Sequence, residues 1–170
     1  MSKPQGMPTV KPPSPYVFNW EVIIDIFYVK DMAGTLFGFL SVVDNGTTYH
    51  AIYLISEGKG TPLSSKCYRA FLKMWTCWAG FPRFASCDRG LHNRGNFSKG
   101  LSGNGVYIRQ AALETPENIG RGERHGGVMK DVMKPIIKHH HVVGKKAMKM
   151  VSAISQETKN DVMRRGGFSP

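Results

Sequence analysis

One stretch constrains the fold more than any other: a short apolar run that ends in an acid and a glycine turn. Residues 84–97 read FASCDRGLHNRGNF, in which Phe84–Cys87 has the composition of a short strand and Asp88 follows at once. Gly90 permits a turn after the acid, and the polar segment that closes on Phe97 can open a helix. The pattern therefore predicts a strand that delivers Asp88 to the rim of a sheet.

Two further acids can be placed against Asp88. Asp25 interrupts a β-branched and aromatic run between Ile24 and Ile26, and a carboxylate in such a strand is costly to bury unless it meets a cation. Glu123 comes 35 positions after Asp88, next to a helical pattern. Three carboxylates on separate elements predict a divalent-metal site. Taken alone, Asp25 also fits an acid at a strand edge that faces water.

These motifs, in this order, resemble the catalytic core of retrovirus-type and LTR-retrotransposon integrases. The resemblance covers residues 17–170 and rests on four features of the sequence. They are the Asp25 strand, the Asp-Arg-Gly segment that closes on Phe97, the Gly-x-x-Glu-Arg ending of residues 116–124, and the Gly-Phe-Ser-Pro at 167–170. The resemblance implies an α/β, ribonuclease H-like fold with a five-stranded mixed sheet flanked by helices.

The implied activity is that of a metal-dependent polynucleotidyl transferase, which performs 3'-end processing and DNA strand transfer during DNA integration. By resemblance, Asp25, Asp88 and Glu123 are the catalytic residues and hold two Mg²⁺ or Mn²⁺ ions, with Asp25 bridging both. Magnesium prefers oxygen ligands and keeps several waters, so a few carboxylates and a substrate phosphate suit it. Two such ions can stabilise both oxygens of an in-line displacement at phosphorus. DNA is the implied partner, bound by a dimer or higher homo-oligomer in the nucleus.

Other positions match DNA contacts of the family. The glycine-bearing segment 118–122 matches a flexible loop that approaches the DNA end, and Lys130 matches a basic position that contacts phosphate. Arg124, His92 and Asn93 flank two of the acids and can help to position phosphate. An ordinary solvated role stays open for each of them. The predicted DNA-binding residues are Asn118, Arg121, Arg124, Lys130 and Lys134.

The chain departs from the family pattern near Glu123. Gly126 stands where the family commonly has Asn, Thr115-Pro116-Glu117 replaces His-Pro-Gln, and Pro135 is expected to kink or divide the helix. Gly126 and Gly127 would each loosen a helix by about 1 kcal/mol relative to Ala. Two alternatives stay open: a catalytically inactive, DNA-binding remnant of a retroelement integrase, and a ribonuclease H-like nuclease that uses only water.

Composition fits one domain with an excess of basic charge, which alone also fits ribosomal, membrane-surface or merely soluble proteins. The 170 residues are 41% hydrophobic and carry 23 Lys+Arg against 12 Asp+Glu, a net charge of +11. The excess lies in residues 91–170, with 14 basic and six acidic side chains, and it favours a polyanion. Residues 1–16, with five prolines, are expected to form a flexible arm, and residues 17–170 the core. No membrane span is expected.

No zinc module is expected. The three cysteines lack a CxxC pair, and the adjacent histidines His139–His141 would point in different directions on a helix. The flanking zinc domain of full-length integrases is therefore expected to be absent. The carboxy-terminal DNA-binding domain is also expected to be absent, because the sequence stops at Gly-Phe-Ser-Pro, where relatives continue.

The remaining pattern predicts the order of elements. Three antiparallel strands at 17–28, 36–43 and 47–55 precede a helix, a strand, a short helix and a strand at 106–109. Residues 115–122 are expected to form a mobile loop before a helix that starts at Glu123. A last helix is expected at 145–164. Its predicted apolar face is Met148, Val151, Ile154, Thr158 and Val162.

Overall fold

Five strands form one mixed sheet in the spatial order β3-β2-β1-β4-β5. The strands are β1 (Glu21–Lys30), β2 (Leu36–Asp44), β3 (His50–Glu57), β4 (Phe84–Cys87) and β5 (Tyr107–Gln110). Short turns join β1, β2 and β3, which pair antiparallel, whereas β4 pairs parallel with both β1 and β5. The predicted five-stranded mixed sheet is confirmed.

The computed structural model describes residues 17–87, 90, 95–110 and 116–162, without the side chains of residues 110, 116–119 and 121. The predicted arm at 1–16, Asp88, His92, Asn93 and the Gly-Phe-Ser-Pro end lie outside the described residues.

Helices cover both faces of the sheet. One face carries a continuous helical segment made of α1 (Ser64–Phe71), a π-helical turn (Leu72–Thr76) and α2 (Cys77–Ala79), together with α3 (Asn96–Gly103). The other face carries α4 (Pro116–His139) and α5 (Lys145–Val162). Within the described part of the chain, no helix is long and apolar enough to cross a membrane.

The alternation of side chains along β1 supplies both cores. Val22 and Ile24 are buried with the α1 and α3 helices on one face. Phe27 on the opposite face is buried with Met129 and Met133 of α4. Successive side chains of a strand point to opposite faces. Even-numbered residues of β1 therefore face α1 and α3, and odd-numbered residues face α4.

One expectation about α4 is wrong. Residues 116–122, predicted as a loop, belong to the helix, which begins at Pro116. Proline suits a first helical position because its missing N–H would have no partner there. Pro135 does not divide the helix, and the expected kink stays a prediction. Met133 and Ile137 on either side of Pro135 are buried, so packing outweighs a proline cost of about 3 kcal/mol.

The buried face of α5 also differs from the prediction. Met148 and Val151 are buried, but Ile154 is 49% and Val162 72% exposed. The helix instead buries polar side chains in its second half. These are Ser152, Ser155, Lys159 and Asn160.

Two of the polar side chains of α5 close the outer edge of β3. The Asn160 side chain accepts the His50 N–H at 2.9 Å and donates to the His50 carbonyl at 3.0 Å. Gln156 Oε1 accepts the Ile52 N–H at 2.8 Å. An edge strand otherwise presents open backbone groups, so these contacts explain why α5 buries amides rather than apolar side chains.

Asn160→Ala is expected to lower the free energy of unfolding by about 2–3 kcal/mol, because it leaves a buried N–H and a buried carbonyl unpaired. Glu157→Ala on the exposed side of the same helix is the control, with an expected change within about 0.5 kcal/mol. Urea denaturation measures both. Equal effects of the two substitutions would show that the edge contacts do not stabilise the fold.

Candidate active site

Asp25 lies in the middle of β1, opposite Ser41 of β2. Its carboxylate is half-buried, and Oδ1 accepts the N–H of Ile26 at 2.7 Å. By the alternation of the strand, Asp25 faces the same side as Ile23 and Phe27, which is the side that α4 covers. The carboxylate is therefore held on the central strand and directed towards a helix.

Glycines let α4 approach β1 at this position. A Cβ on Gly122 would lie 3.0 Å from Ile23 Cγ2, and a Cβ on Gly126 would lie 3.8 Å from Phe27 Cβ. Glu123 belongs to the turn between these glycines, and its side chain is exposed. Since Asp25 sits between Ile23 and Phe27, the structure brings Asp25 and the Glu123 turn to one region.

Asp88 lies outside the described residues, but the residue bonded to it is described. Cys87 is buried, ends β4 and pairs with Ile24, the residue before Asp25. Among residues 17–87, 90, 95–110 and 116–162, no three His, Cys, Asp or Glu side chains are grouped as metal ligands. Two of the three predicted acids, Asp25 and Glu123, belong to that described set.

A basic face of α4 extends from Glu123. Lys130 follows Glu123 by two helical turns, and Lys134 and Lys138 continue on the same side, four residues apart. Arg124, Lys134 and Lys138 are exposed, and Lys130 is half-buried. The backbone of Asn118 and Arg121 is helical rather than a loop, and their side chains lie outside the description.

The comparisons with known proteins are with solved structures, since no protein-family model and no curated protein matches the sequence. The HTLV-2 integrase catalytic core domain in complex with magnesium, in its dimeric form, matches with a TM-score of 0.71 and 15% identity over 90% of this chain and 94% of that one. Its trimeric form matches with a TM-score of 0.68 and 14% identity over 89% and 91%.

A chain of the simian T-cell lymphotropic virus intasome, in complex with the PP2A regulatory subunit B56 gamma, has a TM-score of 0.73 and 18% identity over 98% of this chain. This chain spans 58% of that one. The fold is that of an integrase catalytic core. The ribonuclease H-like architecture predicted from the sequence is thereby confirmed.

The integrase-core fold holds a buried polar cluster that the sequence did not reveal. Ser41, opposite Asp25, contacts His50 with 2.7 Å between Oγ and Nε2. The His50 ring meets the His125 ring edge-on, with centroids 5.9 Å apart. His125 follows Glu123 by two residues in α4. The cluster therefore joins β2 and β3 to the turn of α4 that carries Glu123.

Lys159 of α5 supplies a cation to this cluster. It is 1% exposed, and among the described residues its Nζ has no hydrogen-bond partner. Burial lowers the pKa of Lys159 to about 8. Burial, followed by the charges of Lys159 and His125, holds the pKa of His50 well below 6.5. His50 is therefore neutral at physiological pH.

One sequence signal could have revealed Lys159. It falls on the buried helical period that runs from Met148 through Val151 and Ser155. A lysine on that face is either buried or at the rim, and the sequence does not decide between them. The long-range partners of the face, His50 and His125, come only from the fold.

Lys159→Met is expected to raise the free energy of unfolding at pH 7 by about 1 kcal/mol or more, because it replaces an unpaired buried ammonium with an apolar side chain of similar length. The native pKa lies below the ordinary 10.5, so the unfolded state binds more protons between pH 8 and 10.5, and wild-type stability rises with pH in that window. The advantage of Lys159→Met should therefore be largest below pH 8 and narrow towards pH 10.5.

Denaturation with urea at pH 7, 9 and 10.5 measures this effect. Lys149→Met, at an exposed position of the same helix, is the control. Its difference in unfolding free energy from wild type should not change between pH 7 and 10.5. A Lys159→Met protein that is less stable than wild type at pH 7 would contradict the assignment of Lys159 as an uncompensated cation.

Proposed function

We propose that the chain is a metal-dependent polynucleotidyl transferase of the integrase type, acting in 3'-end processing and DNA strand transfer. One observation carries the proposal: the turn of α4 that bears Glu123 packs over β1 at Asp25, beside the strand that ends at Cys87. Asp88 is the next residue in the chain after Cys87, the end of β4. The integrase-core fold supports the same proposal.

The donor set fits a hard divalent cation. Asp25 is half-buried and Glu123 exposed, so one carboxylate is fixed by the sheet and the other is open to solvent. Among the described residues, Glu123 forms no ion pair that would neutralise it. Carboxylate oxygens with room for water and phosphate are what Mg²⁺ and Mn²⁺ require. The HTLV-2 core that shares the fold is in complex with magnesium.

In this proposal Asp25, Asp88 and Glu123 would hold two divalent ions, with Asp25 as the ligand shared between them. Bound ions would stabilise charge on the attacking and leaving oxygens at phosphorus. The protein contributes the position of the acids. Strand β1 holds Asp25 between its two neighbouring strands, and the contact of Gly122 with Ile23 sets the distance between β1 and the helical turn that carries Glu123. Water as the nucleophile gives 3'-end trimming, and a DNA 3'-hydroxyl gives strand transfer.

The basic face of α4 is proposed to hold the DNA. Lys130 and Lys134 lead away from Glu123 along the helix, where they can contact successive phosphates, and Arg124 adjoins the acid itself. Asn118 and Arg121 precede Glu123 on the same helix and are proposed to contact the DNA end. The dimeric and trimeric HTLV-2 cores support action as a homo-oligomer. Insertion into chromosomes would place the protein in the nucleus.

Asp25→Asn and Glu123→Gln are each expected to reduce activity by at least about 100-fold, since each removes a carboxylate that would hold an ion. Glu157→Gln, an exposed acid of α5, should keep wild-type activity. The assay follows Mg²⁺- or Mn²⁺-dependent strand transfer and its reversal on a branched DNA. Cleavage without joined products would favour the nuclease alternative. DNA binding without any product would favour the inactive remnant.

Lys130→Ala and Lys134→Ala are expected to weaken duplex binding and to reduce the slope of log affinity against log salt by about 0.9 each, because each lysine releases one condensed counterion. Lys149→Ala, an exposed lysine of α5, is the matched control. Fluorescence anisotropy at several salt concentrations gives the slopes. An equal reduction of the slope by Lys149→Ala would mean that DNA binding depends on total charge and not on lysines of the basic face of α4.

A further inference from the structure

The other end of the sheet carries a row of aromatic rings. Trp20 precedes β1, Phe84 begins β4 and Tyr107 begins β5. Ring centroids lie 5.6 Å apart between Trp20 and Phe84, and 5.7 Å between Phe84 and Tyr107. The three rings therefore form a continuous row across three neighbouring strands.

The row is accessible at both ends. Trp20 is 39% and Tyr107 59% exposed. Among the described residues, the core beneath α4 and α5 takes its sheet residues from β1, β2 and β3. It includes no residue of β4 or β5. Next to Tyr107, a cavity of about 480 Å³ opens between β5 and α3, with Ser98 and Ser102 on its wall.

Two arginines lie against the rings. The Arg109 guanidinium sits 4.0 Å from the centroid of Phe84, and that of Arg83 sits 5.4 Å from the centroid of Tyr107. Arg109 is held in place by Glu21, with 3.3 Å between its Nη1 and the buried carboxylate. Arg83 is exposed. The surface thus combines flat rings with Arg109, which an ion pair holds in place, and the exposed Arg83.

Rings interleaved with arginines match the chemistry of unpaired nucleotides. Bases stack on aromatic faces and on guanidinium planes, and the arginine charge attracts phosphate. Cross-strand aromatic pairs also stabilise sheets, but stabilisation requires neither the exposure of Tyr107 nor the exposed charge of Arg83. Duplex DNA keeps its base faces stacked, so the surface suits a single strand.

We propose that Trp20, Phe84 and Tyr107, with Arg83 and Arg109, bind single-stranded DNA by base stacking. Trp20 lies five residues before Asp25 on β1, or about 17 Å along an extended strand. A few unpaired nucleotides leaving the region of Asp25 can span that distance. The inference extends the proposed function, because it supplies a path for an unpaired strand, but its test measures binding alone.

The test compares Tyr107→Ala with Tyr53→Ala as a matched control. Tyr53 lies on the opposite edge strand, β3, and is 37% exposed. Fluorescence anisotropy measures the affinity for labelled oligo-dT and for a duplex of equal length. Tyr107→Ala should bind oligo-dT roughly tenfold more weakly, the loss of one stacked base, and the duplex within twofold of wild type. Tyr107→Phe should restore oligo-dT binding.

A second variant keeps the test valid if Tyr107→Ala fails to fold. Arg83→Gln is exposed and should weaken oligo-dT binding roughly two- to fivefold. Unchanged oligo-dT binding, equal losses on duplex and single strand, or an equal loss in Tyr53→Ala would overturn the proposal. So would a Tyr107→Ala protein that changes oligomeric mass and not oligo-dT affinity, since that result would assign the surface to a protein contact. Both variants measure binding alone, so a chain that binds oligo-dT through Tyr107 but lacks strand transfer would refute only the enzyme proposal.

Discussion

The close approach of α4 to β1 is the contact on which the candidate site depends. With 3.0 Å between an added Cβ of Gly122 and Ile23 Cγ2, a side chain at 122 would require Ile23 or the helix to shift by a few tenths of an ångström. Any shift of the helix would move the turn that carries Glu123 relative to Asp25. The same crossing places Met129 and Met133 in the core and turns the lysines outward. The geometry of the candidate site, the core packing and the position of the basic face therefore share one cause.

The two edges of the sheet have opposite surroundings. At β3, Asn160 and Gln156 of α5 form hydrogen bonds with backbone groups of the edge strand. The same buried face of α5 carries Lys159, whose ammonium has no hydrogen-bond partner among the described residues. At β5, the edge strand carries Tyr107, which is exposed, and Arg109, whose guanidinium lies over the Phe84 ring. Among the described residues, one edge is therefore closed by a helix, and the other is the edge proposed to bind a single strand.

Much of the fold could be predicted from local pattern, because apolar alternation in β1 and β2 and the acid after Phe84–Cys87 are properties of neighbouring residues. The start of α4 could not be predicted, since the glycines at 120 and 122 favour a loop locally. The contact with Ile23 accounts for Gly122 in the helix, and it comes only from the fold. The polar face of α5 was missed for a related reason. Apolar periodicity cannot find a face whose partners are backbone groups of His50 and Ile52, more than a hundred residues away.

The proposed function requires that Asp25, Asp88 and Glu123 hold divalent metal together. A crystal structure with Mn²⁺ would show this through the anomalous signal of the ions. We expect ions about 2.0–2.2 Å from the carboxylate oxygens, with Asp25 shared between two ions about 3.5–4 Å apart. Anomalous peaks only at other groups, such as His139–His141, or none beside Asp25 at saturating Mn²⁺, would contradict it.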